Sequence, residues 1–131
     1  MNFKSAVRSG LNNFTNFKGR AQRSEFWYWV LFFWLCELVA VIVDSILFPN
    51  AYNYDSPSAV VLALPTNVVA YSLLIPSLSV FVRRLHDTDR KGWWWLFSLV
   101  PFGSLVILSW LCSKGTPTVN RYGENTAQAI E

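Results

Sequence analysis

The chain has 131 residues, of which 53% are hydrophobic and 15% charged, with seven Trp. Soluble domains average about 25% charged residues, so this composition excludes an ordinary soluble globule: a core this small could not hide so much apolar surface, whereas lipid can. The net charge of +3 is modest, but its placement beside apolar runs favours anionic lipid headgroups, and no nucleic acid is expected as a partner. Cys36 and Cys112 both lie in apolar runs and, with a single His, offer neither C-x-x-C nor Cys/His spacing. They read as small hydrophobes, and no metal or cofactor is expected.

In residues 1–18, Phe3, Val7, Leu11 and Phe14 recur at helical spacing with Lys4 and Arg8 beside them. This predicts a short amphipathic helix lying in the membrane interface. Three long apolar runs follow, at 26–48, 59–82 and 93–112. At 1.5 Å per residue each covers about 30 Å, the hydrocarbon thickness of a bilayer, and none alternates with period two, so helices are expected. The first run is longer than a signal-peptide core and has no A-x-A-like site, so it should remain as a transmembrane helix, with Ser24 as N-cap and Glu25 in its first turn. Pro65 and Pro76 lie inside the second run and can kink it, either as plain architecture or as a gating hinge. Pro101, Phe102 and Gly103 interrupt the third, which leaves two readings: a third crossing, or a re-entrant hairpin. The tail 113–131 reads as turns and a frayed end. The expected fold is therefore an all-α integral membrane protein, a single domain over 1–131: a compact bundle of three transmembrane helices, the third broken or re-entrant at Pro101–Gly103, with an interfacial N-terminal segment at 1–25.

Orientation follows from the basic residues. Lys4, Arg8, Lys18, Arg20 and Arg23 precede the first run, and Arg83, Arg84, Arg90 and Lys91 separate the second from the third. The positive-inside rule puts both clusters in the cytoplasm. The link at 49–58, with Tyr52, Tyr54 and Asp55, then faces outward. A third crossing would put the tail outside; a hairpin would return it to the cytoplasm.

Two stretches are unlike membrane filler. One is Gly19-Arg20-Ala21-Gln22-Arg23-Ser24-Glu25-Phe26-Trp27; the other is Arg83-Arg84-Leu85-His86-Asp87-Thr88-Asp89-Arg90-Lys91-Gly92-Trp93-Trp94-Trp95. Together with Gly115-Thr116-Pro117 and Asn120-Arg121-Tyr122-Gly123 they resemble the signature of domain of unknown function 805, a family of small bacterial inner-membrane proteins. The likeness runs from about residue 14 to 123, and its most specific part is Arg-Arg-Leu-His-Asp followed by Gly-Trp-Trp. The resemblance implies a multi-pass protein of the bacterial inner membrane and implies no activity. The family usually has a small residue or Gly where this chain has Asp89.

Several chemistries are open to these blocks. Anchoring with internal pairing is one: Glu25 and Asp87 bridge arginines of the opposite block in a polar cap with His86 and Arg90, while Trp27, Trp29, Trp93, Trp94 and Trp95 set depth at the interface. A site for an anionic phospholipid headgroup built from Arg20, Arg23, Arg83 and Arg84 is another, since guanidinium forks suit phosphate. A catalytic His86–Asp87 pair is disfavoured, because helix neighbours point about 100° apart and no nucleophile stands at a recognisable spacing; no catalytic residue is assigned. In the first run, Glu37 and Asp44 share a face about 10 Å apart. Glu37, at mid-bilayer, is either an interhelical hydrogen-bonding group, with Asn67, Tyr71, Ser72 and Ser98 on offer, or part of a proton or cation path. Asp44 lies near the outer boundary and is expected to reach water. The function expected is a non-enzymatic membrane component binding lipid, a protein partner or a second copy of itself. The alternative is an oligomeric channel or transport subunit using Glu37.

Overall fold

A computed structural model describes residues 1–51 and 64–125. The first helix, α1 (Phe3–Asn12), starts at a capping box in which the Asn2 side chain accepts from the Ser5 N–H and the Ser5 hydroxyl receives the Asn2 N–H. Its buried stripe is Ala6 and Gly10, while Phe3, Leu11 and Phe14 stay exposed. The protein-facing side of α1 is thus a stripe of small residues, and the larger apolar side chains read from the sequence lie round the helix from it. Gly10 has a reason to be glycine: a Cβ there would sit 2.2 Å from the Trp29 ring.

The helix α2 (Arg23–Leu47) carries Glu25 in its first turn as expected, but Gln22 stands at the N-cap, without a side-chain cap bond, and Ser24 lies inside the helix. The helix α3 (Pro65–Asp87) begins with Pro65 in its first turn, where the missing N–H is no loss, so only Pro76 lies within it. The part of the second run at 59–63, and Tyr52, Tyr54 and Asp55 of the link, lie outside the described residues. Helices α2 and α3 pack against each other, and Trp29 donates from Nε1 to Ser77 Oγ at 3.1 Å across the interface. Trp29 is 2% exposed, so it belongs to the core and is not an interface anchor. Trp27, Trp93 and Trp94 are exposed and Trp95 is half-buried. Asp44, expected in water, is buried too. Its Oδ2 accepts from the Thr66 N–H at 3.3 Å and so satisfies one of the orphan donors at the start of α3. Both α2 and α3 are long and apolar enough to cross a membrane.

The third run is not one helix. A 3₁₀ helix (Gly92–Leu99) and a short helix α4 (Gly103–Cys112) flank a break at residues 100–102. Pro101 supplies no N–H, and Phe102 sits at φ +64°, the left-handed region that bulky side chains avoid. At rises of about 2.0 and 1.5 Å per residue, each limb spans only about half a hydrocarbon core. The limbs fold against each other, with the Trp94 and Trp110 rings edge to face at 5.5 Å. Arg84 at the end of α3 donates to the carbonyl of Leu111 at 3.1 Å, and the Arg90 guanidinium lies 4.2 Å over Trp110. The run thus leaves α3 and returns to it at the same end. Pro101 and Phe102 break the segment into two limbs packed against each other. The core of buried side chains, Phe26, Trp29, Val80, Leu85, Ile107 and Leu111, lies directly beneath that end.

Candidate functional site

The polar residues of the two motif blocks meet where α2 begins and α3 ends. Asp87, in the last turn of α3, is the centre. Its Oδ1 takes Arg20 from both Nε and Nη2 at 2.9 Å, and its Oδ2 takes Arg84. Arg20 also donates to the carbonyls of Thr116 and Thr118. Arg84, with no exposed surface, reaches the carbonyls of Leu111 and Ser113. A cation on the last carbonyls of α4 is where the helix dipole favours it, and the planar fork serves several acceptors at once. Around Asp87, the tail makes a second layer: Thr116 donates its N–H to the Asp87 carbonyl at 2.8 Å, and Asn120 Nδ2 donates to the His86 carbonyl at 2.9 Å. The tail up to Asn125 is packed on the cap and contains the expected turns, as at Asn120–Gly123; the frayed end expected after it falls on residues 126–131, outside the described residues.

Glu25 forms a second centre beside the first. Its Oε1 accepts from Arg83 Nη1 at 2.9 Å and from Ser9 Oγ at 2.8 Å, which joins α1, α2 and α3. Arg83 is buried, and its Nε and Nη2 have no hydrogen-bond partner among the described residues. Ser79, fully buried in α3, donates to the carbonyls of Asn13 and Asn16 and holds the α1–α2 connection down.

Internal pairing across the two blocks is thus what the geometry contains. Of the four arginines expected to form an open headgroup site, Arg20, Arg83 and Arg84 are buried among carboxylates and carbonyls, and Arg23 stands apart, exposed, with one long contact to the Cys112 carbonyl. Arg90 turns to Trp110 and the Thr88 carbonyl instead of a carboxylate. His86 and Asp87 face different partners: the imidazole stacks on Tyr122 with centroids 3.7 Å apart, and its Nδ1 lies 3.2 Å from the Gly19 carbonyl.

At the surface of the cap, Arg121 donates from Nε to Asp89 Oδ1 at 3.1 Å. That guanidinium holds the Asp89 carboxyl below the usual carboxylate range. Such a contribution is present at neutral pH and is lost as pH falls through the depressed value, and it is small for an exposed pair. Asp89 has φ +58°, a left-handed conformation that Gly would adopt at less cost.

The two carboxyls of the apolar stretch of α2, Glu37 and Asp44, are separate from the cap. Glu37 lies half-buried on α2, and its Oε1 is shut off from solvent without a hydrogen-bond partner among the described residues. Two of the partners expected for it are engaged locally: Ser72 donates to the Val68 carbonyl and Ser98 to that of Trp95. Among the described residues, no group of three His, Cys, Asp or Glu side chains is placed to hold a metal.

Ser9 and the tail carbonyls were not foreseen in the sequence. Ser9 gives no signal there, but the Gly-Thr-Pro and Asn-Arg-Tyr-Gly blocks do, since Thr116, Asn120 and Tyr122 are the residues that seat the tail.

The family profile described as "Protein of unknown function (DUF805)" matches residues 14–124, which spans every partner in the cap except Ser9. The chain is 35% identical over 114 residues to inner membrane protein YhaH of Escherichia coli, covering 86% of this chain and 88% of that one. It is 38% identical over 120 residues to inner membrane protein YhaI of the same organism, covering 89% and 91%. No solved structure gives a significant match.

Proposed function

Because this chain belongs to the DUF805 family of proteins of unknown function, with relatives that are inner membrane proteins, we propose that it is a non-enzymatic inner-membrane component that crosses the bilayer twice and binds anionic phospholipid at its cytoplasmic face. In this reading α2 and α3 span, the 3₁₀–α4 hairpin enters the cytoplasmic leaflet and leaves it again, and α1 lies in the interface. The N-terminus, the cap and the tail are all cytoplasmic. The observation that supports it is the segregation of surface. Trp34, Leu38, Ile42 and Ile46 along α2, and Leu99, Phe102 and Leu105 at the hairpin tip, are exposed, whereas the buried charges other than Asp44 gather in the cap. With Arg20, Arg83 and Arg84 used internally, the cations left for headgroups are the exposed Lys4, Arg8, Lys18, Arg23, Lys91 and Lys114, each adding about 1 kcal/mol near an anionic surface.

Cysteine labelling tests the topology. In intact cells an impermeant thiol reagent should reach a cysteine replacing Asn53 and miss cysteines replacing Thr88 and Val119, in a background without Cys36 and Cys112. Labelling of Val119→Cys from outside would mean that the third segment crosses.

The orphaned Glu37 Oε1 favours a second reading, an oligomeric transport subunit. Reconstituted wild-type protein should then pass protons or monovalent cations above the empty-liposome background, and Glu37→Gln, which folds normally, should not. Wild-type flux at background removes this reading for the isolated protein.

A further inference from the structure

A cavity of about 550 Å³ opens between the last turns of α3 and the 3₁₀ helix, within the usual range for small-molecule sites. Its apolar walls are Leu78 and Val82 of α3, Trp93 and Trp95 of the 3₁₀ helix, and Phe17 and Tyr122 from either side. Lys91, exposed, stands on its lining, and so does His86, which is 8% exposed. None of these groups belongs to the arginine–carboxylate cap except His86, whose role there is made by the other side of its ring.

The tautomer of His86 decides what the cavity offers. A carbonyl oxygen can only accept, so the 3.2 Å approach of Nδ1 to the Gly19 carbonyl puts the hydrogen on Nδ1, and in the neutral ring Nε2 is left as an acceptor. No hydrogen bond to Nε2 exists among the described residues. It faces Gly92, where a Cβ would come within 3.4 Å of Nε2 and 2.6 Å of Val82 Cγ1. The missing side chain at Gly92 therefore keeps both the acceptor and the apolar wall open. Lys91, next in sequence, places an ammonium beside the same opening. An apolar slot, a cation at its rim and one acceptor call for an amphiphile with a hydrocarbon chain, an anionic group and a hydroxyl donor.

We infer that this cavity holds one anionic phospholipid of the cytoplasmic leaflet: an acyl chain between α3 and the 3₁₀ helix, the phosphate on Lys91, and a headgroup hydroxyl donating to His86 Nε2. The inference rests on the proposed placement of the cap at the membrane surface and gives it a discrete, stoichiometric site. It differs from general attraction of lipid to exposed lysines, which any anionic headgroup would satisfy and salt would abolish. Trp93, 76% exposed, fits the headgroup depth at which indole rings prefer to lie.

Native mass spectrometry of the full-length protein in mild detergent, with phospholipids added, tests this. Wild type should take up one equivalent of phosphatidylglycerol. Phosphatidylmethanol, with the same charge and no headgroup hydroxyl, should bind about fivefold more weakly, the loss of one neutral hydrogen bond. Lys91→Gln, a surface change that leaves the fold intact, should weaken phosphatidylglycerol about tenfold, as for loss of a charge-assisted contact. Leu78→Trp fills the slot and should remove the bound equivalent at an unchanged melting temperature, whereas Lys114→Gln, outside the cavity, should bind as wild type does. Equal binding of the two anionic lipids would overturn the role of His86. An unaffected Lys91→Gln, or a folded Leu78→Trp that keeps its lipid, would overturn the site. External labelling at Thr88 would sink the cytoplasmic placement while leaving the detergent result standing, so the two failures are told apart.

Discussion

Asp87→Ala lowers the melting temperature of the detergent-solubilised protein by about 10 °C or more, the effect of about 3–5 kcal/mol in a chain of this size. The magnitude follows from burial. Asp87 is the shared carboxylate of Arg20 and Arg84, whose side chains are 1% and 0% exposed, and its removal leaves two guanidiniums facing each other without an anion between them. Replacing a whole buried ion pair by apolar residues can be neutral, but deleting one partner strands the other. Asp87→Asn keeps the shape and should lose nearly as much, because the defect is the missing charge. The exposed Asp89–Arg121 pair is the internal comparison: Asp89→Ala should shift melting by no more than about 2 °C. Equal, small effects at Asp87 and Asp89 would show the cap to be a set of solvated charges.

Gly10→Leu should detach α1 from the bundle while α2 and α3 stay paired. Even a Cβ at this position overlaps the Trp29 ring, and the ring cannot yield readily because it is buried and hydrogen-bonded to Ser77. Overpacking of this kind costs about 1–3 kcal/mol, and losing the Ser9 donor to Glu25 adds to it. The measurement is protection of a cysteine replacing Ala6, which is wholly buried in the native helix: it should be slow to react in the parent and fast with Gly10→Leu. A slow reaction in both would mean that α1 is held by its connection to α2 and the Ser79 bonds rather than by its own face.

The parts of this fold that were legible in the sequence are those governed by long patterns. Runs of apolar residues located α2 and α3, and the pairing of Glu25 and Asp87 with arginines of the opposite block followed from two charged clusters that lipid would force together. What escaped notice depended on small residues and on contacts between distant segments. Periodicity marked Phe3, Val7, Leu11 and Phe14 as the face of α1 because hydrophobic size dominates the pattern, yet the docking face is made by Ala6 and Gly10, where closeness matters more than area. Trp29 and Trp27 are two apart, and nothing in the sequence separates one from the other as an anchor. A turn of about 200° about α2 puts one in the core and the other outside. Asp44 gave no sign that it would meet Thr66, since nothing in a sequence says which helix end will lie beside a given carboxylate. The third segment was legible as far as Pro101–Gly103 allowed: the break is visible in the sequence, but the folding of its two limbs onto each other depends on Arg84 and Arg90, which hold its far end.

The cap also sets an order of events during synthesis. Arg20, Arg83 and Arg84 leave the ribosome well before Thr116 and Thr118, the carbonyls that complete the shell around Arg20. Until those residues emerge, Arg20 and Arg84 have Asp87 between them but lack the tail carbonyls that complete their shell. Once the tail arrives they are drawn into the interior of the cap. A nascent chain halted before Ser113 would have its carboxylate pairs formed but its last segment unsecured, a state that membrane quality control could distinguish from the finished protein.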